Sequence, residues 1–110
     1  MKAVLFYGPQ DIRYENTMIK PLSEGEILVK VESALTCGTD VKTFRRGHPV
    51  LIKNIPSGFG HEFAGTVVNP GYRIDLKEGD RISGLPISPC GECNACKNGN
   101  PQYCAVTWNE

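Results

Sequence analysis

The chain has 110 residues, 40% of them apolar, enough for one small domain with a modest core and too apolar for a disordered chain. Twelve basic and twelve acidic side chains cancel to a net charge of zero, so a polyanionic partner such as nucleic acid is not expected. The apolar run at Ala3–Tyr7 is too short for a signal-peptide core and no run approaches membrane-spanning length; the expected setting is the cytoplasm, with no membrane partner and with reduced cysteines.

Lys2 to Tyr7 predicts a first strand, ended by Gly8-Pro9, and the alternation from Ile12 to Glu15 predicts a hairpin return. Residues 16–25 hold Pro21 and Gly25 and read as a connection. Glu26 to Glu32 alternates, with Ile27, Val29 and Val31 on one face, and predicts a half-buried strand. Thr39 or Asp40 is the expected cap of a short helix running toward Arg46, with Gly47 as its stop and Arg45-Arg46 as a solvated turn. Residues 47–60 hold Gly47, Pro49, Pro56, Gly58 and Gly60 and predict an exposed loop, in which His48 is an ordinary loop residue. Phe63 to Val68 predicts a strand, Asn69-Pro70-Gly71 and Lys77–Asp80 predict turns, and Arg81 to Ser83 predicts the start of a further strand. Short strands joined by Gly/Pro turns imply a mainly β chain, an antiparallel barrel or sandwich with little helix.

Chemistry concentrates in Cys90-Gly-Glu-Cys93-Asn-Ala-Cys96-Lys-Asn-Gly-Asn-Pro-Gln-Tyr-Cys104, which holds four of the five cysteines with spacing C-x2-C-x2-C-x7-C. Four thiolates this close in sequence can surround one tetrahedral ion, and all-sulfur sites favour zinc or iron. Gly91 and Gly99 supply turn angles, Pro89 and Pro101 stiffen the loop, and Lys97 offsets negative charge. A disulfide knot is the competing reading for a secreted chain. The bacterial ferredoxin run starts the same way but continues x3-C-P, whereas here the fourth cysteine follows seven residues and precedes Ala105, which favours zinc. A second constellation is Cys37 with Gly60-His61-Glu62: thiolate, imidazole and carboxylate are all zinc ligands, and catalytic sites commonly use three. Spacing alone leaves this open, because a lone histidine is more often an ordinary surface or core residue.

The motifs Cys37-Gly38-Thr39-Asp40, Gly60-His61-Glu62 with Gly65, Gly79-Asp80-Arg81-Ile82 and the cysteine loop occur in an order that resembles the zinc-dependent medium-chain alcohol dehydrogenases, closest to the polyol and threonine dehydrogenase branch. The resemblance covers nearly the whole chain and implies that residues 1–110 are the N-terminal, GroES-like part of a catalytic domain: a partly open β-barrel with short helices and a zinc-binding lobe loop. It implies two zinc ions. Cys90, Cys93, Cys96 and Cys104 would hold a structural one. Cys37 and His61 would hold a catalytic one, with Glu62 as a further ligand or a neighbour of the ligands. Thr39 matches the hydroxyl that contacts the substrate oxygen and starts a proton relay. Asp40 matches a carboxylate that orients His61. The position two after Asp40 often carries a relay histidine in this branch; here it is Lys42.

The implied reaction moves hydride from a secondary alcohol or polyol to NAD or NADP, with zinc as Lewis acid. No strand–GxGxxG–helix fingerprint occurs in these residues, so the nicotinamide-binding domain is expected to be absent and the chain alone inactive. The family tends toward dimers and tetramers, so the resemblance allows a homo-oligomer, while the sequence itself does not fix the oligomeric state. The alternatives are a non-catalytic structural zinc module and an iron–sulfur electron-transfer module.

Overall fold

A hairpin opens the chain. In the computed structural model, which describes residues 1–109, β1 (Lys2–Gly8) and β2 (Asp11–Asn16) pair antiparallel, with Lys2 opposite Asn16 and Phe6 opposite Ile12. The turn between them places Gln10 at φ 64, and its N–H reaches the carbonyl of Phe44 at 2.6 Å, which ties the hairpin to the first helix. β4 is only Ser57–Gly58, and it completes the sheet in the order β2-β1-β4 by pairing with Leu5 and Phe6. The expectation of a plain exposed loop over 47–60 is thus corrected. The segment pairs with β1, and Phe59 stacks on the buried Phe6 ring with centroids 6.1 Å apart. His48 fixes the start of this segment: its Nδ1 accepts the N–H groups of Val50 and Leu51 at 3.3 and 3.1 Å.

The second sheet runs β3-β5-β6, all antiparallel: β3 is Leu28–Leu35, β5 is Glu62–Asn69 and β6 is Arg81–Gly84. The strand expected over 26–32 begins two residues later and extends to Leu35. It is also less buried than its alternation implies, with Val31 55% and Leu35 71% exposed. β3 lies at the sheet edge, with β5 as its one neighbour, and a bulge between Val31 and Ser33 breaks the alternation of faces. The two strands approach closely there, because a Cβ on Gly65 would stand 2.2 Å from the Lys30 carbonyl oxygen. Val67 is buried at the centre of β5. The two sheets share no strand, so the mainly β fold stays open rather than closing as a barrel.

Helix is confined to short pieces. α1 spans Gly38–Arg46, so Arg45-Arg46 forms its last turn rather than a free turn, and Gly47 at φ 77 ends it as expected. Within the cysteine loop lie α2 (Asn94–Lys97) and a 3-10 turn (Pro101–Tyr103), followed by α3 (Ala105–Asn109). No helix among the described residues is long and apolar enough to cross a membrane.

Candidate metal centres

Strand register brings the first site together. Leu35, the last residue of β3, lies opposite Glu62, the first of β5. Cys37 follows Leu35 by two residues and His61 precedes Glu62 by one, so both fall at the same end of the ladder. His61 also sits on the short link from β4 in one sheet to β5 in the other. Cys37 Sγ and His61 Nε2 come to 3.3 Å.

The helix cap locks this arrangement. The sequence suggested Thr39 or Asp40 as cap, but the cap is Cys37. Its sulfur accepts the Thr39 N–H at 3.3 Å, and its own N–H donates to Asp40 Oδ2 at 2.9 Å, a capping box with sulfur in the usual place of a hydroxyl. The other Asp40 oxygen lies 3.1 Å from His61 Nδ1. Asp40 is 5% exposed, and both carboxylate oxygens have partners. A carboxylate facing Nδ1 draws the ring proton to that nitrogen, which leaves the Nε2 lone pair directed at Cys37. Glu62 Oε1 is 3.9 Å from Nε2, and one donor atom each from Cys37, His61 and Glu62 lies within 4.8 Å of the others.

These donors suit zinc. Ordinary zinc–sulfur and zinc–nitrogen bonds in a tetrahedral shell space the two donor atoms by roughly 3.5 Å, close to the 3.3 Å found here. The set is mixed sulfur, nitrogen and oxygen with three protein donors, the pattern of a catalytic rather than a closed structural site. Thr39 is half-buried on the first turn of α1, beside Cys37. Two concavities flank His61. One, of about 170 Å³, is bounded by Asp40, Thr43, Leu51, Ile52 and Phe59. The other, of about 450 Å³, is more apolar and bounded by Leu35, Phe63, Leu85 and Pro86.

The second site is the cysteine loop. All five cysteines are free, so the disulfide reading does not describe this structure. The sulfurs of Cys90, Cys93, Cys96 and Cys104 lie within 4.8 Å of one another. The loop curls on its own backbone: the Lys97 N–H reaches the Cys93 carbonyl at 3.0 Å and the Gly99 N–H the Cys96 carbonyl at 3.1 Å. Gly91 and Gly99 take φ of 76 and 75, the left-handed angles expected of them. The main chain also points donors at sulfur, Cys90 N–H to Cys104 Sγ and Cys93 N–H to Cys90 Sγ, each at 3.3 Å.

The four thiols are electrostatically unequal. Cys104 is fully buried, yet its thiol is held down to about 5 by the Thr107 hydroxyl first, then by the N–H groups of Cys90 and Thr107. Cys93 is also lowered, chiefly by the Cys96 N–H. Cys96 is pushed up to about 12 by burial and by its neighbour Cys93. Like charges this close cannot all ionise unaided, so a divalent cation is the natural complement to the set. Sequence reasoning missed Thr107, whose hydroxyl donates to the Ser88 carbonyl at 2.7 Å; a threonine three residues past the last cysteine carries no pattern of its own.

Residues 23–109 match the family model for the alcohol dehydrogenase GroES-like domain. Among curated proteins, a sorbitol dehydrogenase of Bombyx mori is 35% identical over 113 residues, covering 94% of this chain and 32% of that protein. An uncharacterised zinc-type alcohol dehydrogenase-like protein, YdjJ, of Escherichia coli strain K12 is 44% identical over 106 residues, covering 94% and 30%. Among solved structures, the alcohol dehydrogenase rspB of Escherichia coli CFT073, complexed with NADH, superposes with a TM-score of 0.81 at 31% identity, covering 94% of this chain and 30% of that one. The cobalt- and zinc-bound thermostable alcohol dehydrogenase of Pyrobaculum aerophilum gives 0.80 at 28% identity, covering 97% and 33%. The chain spans about a third of the length of these relatives.

Proposed function

The chain belongs to the alcohol dehydrogenase GroES-like family, and from that premise we propose that it is the zinc-binding catalytic part of an oxidoreductase that oxidises a secondary alcohol or polyol with NAD or NADP. The observation that carries the reading is the meeting of Cys37, His61 and Glu62, with Asp40 behind two of them. A purely structural zinc module needs only the closed four-cysteine set, and has no use for a second, mixed donor set beside a cavity.

In this reading Cys37, His61 and Glu62 hold the catalytic zinc, and Cys90, Cys93, Cys96 and Cys104 the structural one. Bound zinc supplies Lewis acidity that favours loss of the alcohol proton. Cys37 contributes its sulfur, which also accepts the first-turn N–H of Thr39. Asp40 keeps the proton of His61 on Nδ1, so that Nε2 is free to ligate. Thr39 Oγ1, on the first turn of α1, would accept the hydrogen of the substrate hydroxyl while giving up its own proton outward; Lys42, where this branch often carries a relay histidine, cannot accept it as an ammonium. A nicotinamide cofactor would supply the hydride acceptor, and these residues contain no dinucleotide fingerprint with which to bind it. The 110-residue chain by itself therefore oxidises no alcohol. Free cysteines suit a reducing compartment, and the reading places the protein in the cytoplasm.

Elemental analysis of zinc per chain, on the protein and on Cys37→Ser, tests the proposal. The expected result is near two zinc ions falling to near one. Near one in both proteins would leave only a structural module, and iron in place of zinc would overturn the assignment.

A further inference from the structure

The four-cysteine loop leaves the fold after β6 and returns at α3, so its two ends must be brought side by side before four sulfurs can face one ion. Hydrogen bonds among the described residues cross this neck. One, from Cys90 N–H to Cys104 Sγ, lies inside the donor set. Another lies outside it: the Thr107 hydroxyl donates to the Ser88 carbonyl at 2.7 Å, across nineteen residues of chain. Ser88 precedes the first cysteine by two residues and Thr107 follows the last by three. α3 begins immediately after Cys104, so anchoring Thr107 also fixes where the backbone delivers the Cys104 sulfur, the one fully buried donor of the four.

We propose that Thr107 is a positioning residue for the four-cysteine metal site, closing the neck of the loop against Ser88 and setting Cys104 in place before the ion arrives. This rests on the reading of the four cysteines as a metal site. The physical gain is pre-organisation: a loop whose ends are already joined loses less chain entropy on ligation. The Thr107 hydroxyl has one proton, shared between two acceptors beside it, the Ser88 carbonyl at 2.7 Å and the Cys104 sulfur. Valine keeps the shape of the side chain and removes that proton, whereas serine keeps it.

Cobalt(II) is the probe, titrated into the full 110-residue chain and its Thr107→Val and Thr107→Ser variants. Sulfur-to-cobalt absorption, whose intensity follows the number of thiolate ligands, separates the four-cysteine site from the single-cysteine site. Thr107→Val should bind about three- to tenfold more weakly, the worth of one hydrogen bond, and Thr107→Ser should stay within about twofold of the parent. Equal affinity in all three proteins would overturn the inference, and so would equal weakening in both variants, which would indicate packing rather than the hydroxyl. As a second readout, metal-free Thr107→Val should be cleaved faster by protease within residues 90–104 only; a uniform increase along the chain would count against it. Absence of the absorption in the parent protein would instead refute the metal reading on which the inference stands.

Discussion

Asp40 joins the two principal donors of the first site: one carboxylate oxygen lies 3.1 Å from His61 Nδ1, and the other accepts the N–H of Cys37 at 2.9 Å. One carboxylate of the helix-cap box thereby holds the backbone of Cys37 and faces the Nδ1 edge of His61.

Asp40→Asn should uncouple these roles. Asparagine has one acceptor oxygen, so if it keeps the Cys37 N–H, its amide N–H₂ faces His61 Nδ1 and drives the ring proton to Nε2, the ligating nitrogen. Zinc affinity of the Cys37–His61–Glu62 site should fall by about 10- to 100-fold, with the four-cysteine site unchanged. Competition with a chromophoric chelator resolves the two sites, and an unaltered weaker phase would show that Asp40 does not orient His61.

Gly65→Ala should damage both fold and site. The added Cβ would stand 2.2 Å from the Lys30 carbonyl oxygen and 2.9 Å from Val29 Cγ1, and a main-chain oxygen in a ladder cannot step aside cheaply. A loss of about 1–3 kcal/mol is expected from such overpacking, read as a lower urea midpoint. Because β3–β5 register brings Cys37 to His61, the same variant should lose zinc from that site first.

Removal of metal should loosen the cysteine loop locally. Structural zinc contributes on the order of 10 kcal/mol in small zinc peptides, and the loop has few buried side chains of its own. After strong chelation, limited proteolysis should cut within residues 90–104 while the β1–β2 hairpin stays intact. Unchanged cleavage would mean that the loop stands without an ion.

Proton release should report the unequal thiols. Cys104 is held down to about 5, so at neutral pH it is already a thiolate and releases no proton on zinc binding. Cys96, pushed up to about 12, must release one. Calorimetry in buffers of different ionisation enthalpy should therefore count fewer than four protons from this site. The sign for stability follows. The Cys104 value lies below the ordinary 9.0, so its contribution to the metal-free loop is complete above that ordinary value and is lost as pH falls through about 5. Protease sensitivity of the metal-free loop should rise across that acid limb, and a flat profile would contradict it.

The parts of the molecule that could be read without coordinates are those in which short-range sequence carries the physics. Gly and Pro marked the turns at 8–9, 69–71 and 77–80, and the four cysteines within fifteen residues needed only a curled loop to meet. The β1–β2 hairpin, β5, the end of α1 at Gly47 and the left-handed Gly91 and Gly99 all follow from local chemistry. Local pattern misled where a partner decides the outcome. The alternation of 26–32 promised half-burial, but the segment lies at a sheet edge and Val31 is exposed. Cys37 took the helix cap from Thr39 and Asp40, because the Asp40 carboxylate is claimed by its N–H and by His61.

The sequence by itself determined the ingredients: a mainly β chain of short strands, four cysteines spaced so that they can surround a tetrahedral ion, and a cysteine, a histidine and two carboxylates of ligand chemistry elsewhere. Only the tertiary structure decided that Cys37 and His61, twenty-four residues apart, face each other at 3.3 Å. No local preference encodes that distance; it follows from pairing Leu35 with Glu62 across two strands that are remote in the chain. The same holds for Thr107 and Ser88, which meet because the folded loop returns its two ends to one neck.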